Sequence, residues 1–183
     1  MMERPQESPA SPESLTPAGC ATHAVVDDIL SAGDLLALRA WAQEGPLSTC
    51  ALDGAVQSAV ARLGEALQRC DAVVGRLGWG DAGLRAVRCS VGQARCLSDD
   101  LDAGYWELYV HDRWSAFWGG ELYIAARDDA RGIASYVAPW PNRLVVVAPH
   151  ARCTAAPVDP EAEPHALRAL VAHVRSGGRP VGP

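Results

Sequence analysis

The chain contains no lysine; all 16 basic residues among its 183 are arginine. That excludes Schiff-base chemistry and any phosphate loop that depends on a lysine. Codon usage accounts for the bias as readily as selection does. Paired cysteines are missing too. Cys20, Cys50, Cys70, Cys89, Cys96 and Cys153 are scattered without a CxxC unit, which argues against a zinc ribbon. A chain of this length needs no disulfide framework, and such cysteines ordinarily serve as small buried apolar groups. No apolar run is long enough to span a bilayer, and the first residues are acidic and proline-rich, unlike a signal peptide. The cytoplasm is the expected compartment. Positive charge is not in excess either. A net charge of -6 argues against nucleic acid or an anionic membrane as the main partner.

What remains is the composition of a soluble globular protein, with 49% hydrophobic and 21% charged residues. Residues 1–18 are rich in Pro, Ser and Glu and read as a disordered tail. Residues 19–178 read as one domain, followed by a short C-terminal tail over 179–183. A short strand is expected near Ala24–Val26. A helix follows from about Ser31, a suitable N-cap, to Gln43, with an apolar stripe of Leu35, Leu36, Leu38 and Trp41. A second helix is expected from about Ala55 to Leu77, with Val56, Val60, Leu63, Leu67 and Val74 on one side. The glycines of "GWGDAG" then break the chain. From Leu84 onward, short runs rich in β-branched and aromatic residues alternate with Gly, Pro, Asn and Asp. The last of them, "HALRALVAHV", suits a strand or a helix. Two helices followed by six or seven strands, without regular βα alternation, predict an α+β domain with helices buttressing a β-sandwich or small barrel.

Four segments of this strand half carry a family likeness. "LYVHDRWSAFWGGELYI", "NRLVVVAP", "RALVAHV" and the earlier "VVDDILSAGDLLALRAWA" occur in matching order and spacing, and Gly119-Gly120-Glu121-Leu122 is the most specific piece. Together they resemble the prolyl-hydroxylase-like Fe(II)/2-oxoglutarate-dependent oxygenases. The resemblance implies a double-stranded β-helix, or jelly roll, with the two N-terminal helices packed on one sheet. It also implies Fe(II) and 2-oxoglutarate as cofactors and a small-molecule or peptidyl substrate. The family's iron is held by His-x-Asp on one strand and a second His on a later one.

Carried over residue by residue, "VGQARCLSDD" has the shape of the metal-bearing stretch, but Ser98 stands where the first histidine belongs; Asp100 matches the carboxylate. Cys153 falls at the distal histidine, with His150 three residues before it. Arg168 matches the arginine that grips the far carboxylate of 2-oxoglutarate, and Tyr109 a tyrosine that assists it. Asp100, His150 and Cys153 are thus the candidate metal ligands, Tyr109 and Arg168 the cosubstrate contacts, and Asp100 with His111 the catalytic candidates.

Each has a plainer reading. Asp100 suits a turn cap, and Cys153 a packing residue. His150 suits an exposed loop. His111 shares the parity of Tyr109, so it serves as ligand, base, polar contact or structural tie. Arg168 in an apolar run needs an anion, either a ligand carboxylate or an acid such as Glu121. Trp106, Trp114, Trp118 and Trp140 line a pocket mouth or pack the core. Three functional classes follow: an oxygenase with a remodelled iron site, a metal-free jelly-roll binding protein or non-redox cyclase or isomerase, and an inactive paralogue that partners an active oxygenase.

Overall fold

A computed structural model describes residues 21–43, 54–74, 85–93, 103–126, 135–162 and 167–175. The chain opens with strand β1 (His23–Val26) and passes to helix α1 (Ala32–Gln43). Ser31 caps that helix. Its Oγ accepts from the Asp34 amide at 3.2 Å and donates to the Asp34 carboxylate at 2.6 Å, a reciprocal N-terminal lock. Helix α2 (Gly54–Val74) follows. Its buried residues Val56, Ala59, Leu63, Ala66, Leu67, Cys70 and Val74 recur every three or four positions and form one apolar stripe. Both helices begin and end close to the positions expected from the sequence, and residues 75–77 lie outside the described ones.

The remaining elements are strands: β2 (Arg85–Cys89), β3 (Ala103–Tyr109), β4 (Leu122–Ala126), β5 (Ser135–Val137), β6 (Leu144–Val147), β7 (Ala151–Ala155) and β8 (Leu167–Arg175). The last apolar run is therefore a strand. Five strands form an antiparallel sheet in the order β1-β6-β3-β8-β2, and three form a second in the order β5-β4-β7. The two sheets face one another.

Period-two alternation gives the large sheet two different faces. Trp106, Leu108, Val110, Leu144, Val146 and Leu170 point outward and join the α2 stripe and Leu38 in one core cluster. Tyr105, Tyr109, Val145, Val147, Leu167, Ala169 and Val171 point inward and meet Leu122, Ile124, Val137 and Ala155 of the small sheet. β6 is buried on both faces, which is why its sequence is an unbroken "LVVV".

Two glycines make the crossing between the sheets possible. Gly119 and Gly120 have φ of 69° and 76°, in the left-handed region. A Cβ on Gly119 would run into the carbonyl oxygen of Pro157. The backbone here is stitched to residues 156–159 by Gly120 N to Pro157 O (3.2 Å) and Asp159 N to Trp118 O (2.9 Å). On the far side, Gly92 N donates to Val158 O at 2.8 Å. A second clamp holds the β1–α1 connection. Asn142, itself at φ 61°, pairs its side-chain amide with Leu30 N (3.1 Å) and Leu30 O (2.9 Å). Arg143 grips Asp27 through two nitrogens, at 2.6 and 2.9 Å. Among the described residues no helix is long and apolar enough to cross a membrane.

Candidate functional site

β3 presents Tyr105, Glu107 and Tyr109 to the space between the sheets. Tyr105 and Tyr109 belong to the inner core, and alternation puts Glu107 on the same face, in register with Val145 and Val171. Glu107 is 0% exposed. A carboxylate there is a demanding group, because burial penalises charge. The register continues across β8 to Arg85 of β2, which lies opposite Val171. From the small sheet, β7 brings Cys153 opposite Ile124, again on the inner side. Its Sγ lies 2.9 Å from the Tyr105 hydroxyl. Burial pushes the Tyr105 phenol well above its usual 10, and the nearby Cys153 and Glu107 push it further the same way. Two phenols, a thiol and a carboxylate thus share the inner face. Chemically the set can donate and accept hydrogen bonds in a dry setting.

His111 closes the end of this row. It is 2% exposed, with its ring 5.8 Å from Tyr109 and 5.0 Å from Trp114 between centroids. Nε2 lies 2.7 Å from Pro139 O, and Nδ1 lies 3.3 Å from Arg168 O. A neutral imidazole has one proton to give, and the shorter contact takes it. Burial holds the ring's pKa down at about 4, against the opposing pull of the two carbonyls. His111 is therefore a neutral tie between the end of β3 and the β5–β6 connection, hydrogen-bonded through Nε2 to Pro139 O. The Nδ1 lone pair faces the Arg168 carbonyl oxygen at 3.3 Å, away from an open site.

The other residues singled out from sequence are dispersed. Arg168 lies on β8 between Leu167 and Ala169, both in the inner core, so alternation turns it to the outer face shared with Leu170. The inner position beside it holds Leu167, which packs against Gly120. His150 sits half-buried in the turn before β7. Asp100, like Ser98, lies outside the described residues. The tryptophans do not gather at one mouth. Trp106 packs beneath the helices, Trp140 is exposed, and Trp114 meets Trp118 edge to face at 5.5 Å while donating its Nε1 proton to Gly119 O. Glu107 escaped the sequence reading, although "YWELY" carried a signal: an acid at period two between two tyrosines of an apolar strand.

No protein-family model matches the chain, and no curated protein sequence does. Solved structures do. A Pseudomonas putida prolyl-4-hydroxylase superposes with a TM-score of 0.63 over 86% of this chain and 94% of its own, at 17% identity. The viral collagen prolyl hydroxylase of Paramecium bursaria Chlorella virus-1 gives 0.57 over 96% and 99%, at 13% identity. A Trichoplax adhaerens prolyl hydroxylase, crystallised with a hypoxia-inducible-factor peptide fragment, gives 0.56 over 84% and 83%, at 10% identity. The chain has the prolyl-hydroxylase fold of the 2-oxoglutarate/Fe(II) oxygenases, two helices laid on one of two facing antiparallel sheets.

That fold implies iron and 2-oxoglutarate, and the described side chains do not fit the pair. No three His, Cys, Asp or Glu side chains among the described residues come together to hold a metal. Among the described side chains the inner face supplies a thiol, two phenols and a carboxyl group. Arg168 faces away from the interior, and Leu167 takes the inward place beside it.

Proposed function

We infer that this chain uses the prolyl-hydroxylase fold as a metal-free binding protein, and that it pairs with other molecules without oxidising them. The observation that carries this reading is the phase of β8, which sets Leu167 inward and Arg168 outward. With Leu167 in the inward place, Arg168 is not the cation that a dicarboxylate guest would meet. The Tyr105–Glu107–Cys153 cluster gives the interior hydrogen-bonding groups suited to holding a small polar molecule or to rigidifying the sandwich. The test is direct: purified protein with Fe(II), 2-oxoglutarate and oxygen, assayed for succinate. No succinate above the no-protein rate is expected. Sustained succinate formation that requires the folded protein would overturn the reading.

A second reading has a specific observation in its favour. One structural neighbour, with a TM-score of 0.54, is a viral collagen prolyl hydroxylase in complex with 2-oxoglutarate, and this chain keeps Tyr109 on the inner face. In that reading the chain hydroxylates a C–H bond of a small molecule or peptidyl residue. Asp100, with His150 or Cys153, would then supply the metal ligands, and succinate would form in the same assay.

A further inference from the structure

Arg168 does not reach the interior, yet its need for an anion persists on the other side of the sheet. It lies directly opposite Arg88 of β2 in the antiparallel register. The flanking pair Cys89 and Leu167 points inward, so both arginines occupy the outer face. Like charges placed opposite one another on a sheet repel. Arg88 is exposed and Arg168 is half-buried. Among the described residues neither side chain has an ion-pair partner, whereas Arg62 and Arg143 are paired with Asp34 and Asp27. A third arginine borders the pair. Val110 N donates to Arg168 O at 3.0 Å, and Arg39 donates from Nε to Val110 O (2.7 Å) and from Nη2 to His111 O (2.8 Å). Neutral carbonyls, not acids, hold that guanidinium in place. Register and hydrogen bonds thus place Arg88 and Arg168 side by side on the outer face with Arg39 at their border, and Asp112 is the acid nearest in sequence to that border.

We propose that Arg88 and Arg168, with Arg39 at their border, bind a phosphate group on the outer face of the large sheet. Guanidinium forks match phosphate oxygens in geometry and charge, and more than one of them suits a dianion better than a single carboxylate. The group arrives on a small phosphorylated metabolite or on a phosphorylated side chain of a partner protein. Both present the same tetrahedral oxyanion.

The full chain is titrated calorimetrically with inorganic phosphate, with a phosphoserine peptide and with its unphosphorylated counterpart, all at fixed ionic strength in chloride. Saturable binding of phosphate or of the phosphopeptide, but not of the plain peptide, is expected. A much tighter phosphopeptide identifies a protein partner as the source, and equal affinities identify a small metabolite. Arg88→Gln and Arg168→Gln should each weaken binding about ten- to a hundredfold. Without phosphate both variants should melt at or above the wild type, because a repulsion has been removed. Arg88→Gln, at an exposed position on an edge strand, keeps the test open if Arg168→Gln folds poorly. Binding no stronger than that of chloride, unchanged affinity in the variants, or variants that melt well below wild type without phosphate would each overturn the proposal.

Discussion

The two faces of β3 obey different chemistry. Its outward residues, Trp106 and Leu108, are sealed beneath two helices with Val146 and Leu170. Its inward residues, Tyr105, Glu107 and Tyr109, carry the two phenols and the carboxyl group that the strand buries. One strand thus serves as foundation on one side and as site on the other. The outward face is held by apolar area, which tolerates little loss of volume. The inward face sets polar groups into an apolar core, and the Tyr105 phenol among them is held well above its usual range.

The largest effect should come from breaking the outward face. Leu108 is fully buried, so Leu108→Ala should lower unfolding free energy by about 2–5 kcal/mol, read from denaturant titration. Acid comes next and acts where the two faces meet, at His111. Its pKa of about 4 lies below the unfolded value near 6.5. Between those values the unfolded chain binds the proton and the folded one does not. Stability is therefore full above about pH 6.5, falls toward pH 4 and levels off below it. The loss should be on the order of 3 kcal/mol, and His111→Asn should flatten that part of the profile. Removing the α1 cap with Ser31→Ala should cost about 1 kcal/mol, seen as a small drop in melting temperature. The smallest effect sharpens the inward side. Glu107 and Cys153 both hold the Tyr105 phenol up, so Glu107→Gln should lower its pKa. Ultraviolet titration of the phenolate reads the shift; an unchanged curve would place the carboxylate away from the phenol.

The helices were legible because polar residues interrupt their apolar stripes, and Ser31 marks a start by its own chemistry. The strands were legible as elements but not as faces. "RALVAHV" and "YWELYV" carry apolar or aromatic residues at nearly every position, because β8 and β3 are covered on both sides. A strand of that kind has no visible phase, and a shift of one residue exchanges its faces. That single step separates Arg168 from Leu167. It turned the strongest expected cosubstrate contact to the outer surface and left Glu107 unnoticed. His111 was correctly given the parity of Tyr109, but sequence carries no trace of the Pro139 and Arg168 carbonyls that claim its nitrogens.

We propose that the interior of this chain does not grip 2-oxoglutarate, because Leu167 and not Arg168 faces it. Anaerobic calorimetry with 2-oxoglutarate and Mn(II) in place of iron, on the wild type and on Arg168→Gln, tests it most directly. No saturable heat is expected from either protein. Stoichiometric binding to the wild type that Arg168→Gln abolishes would contradict it.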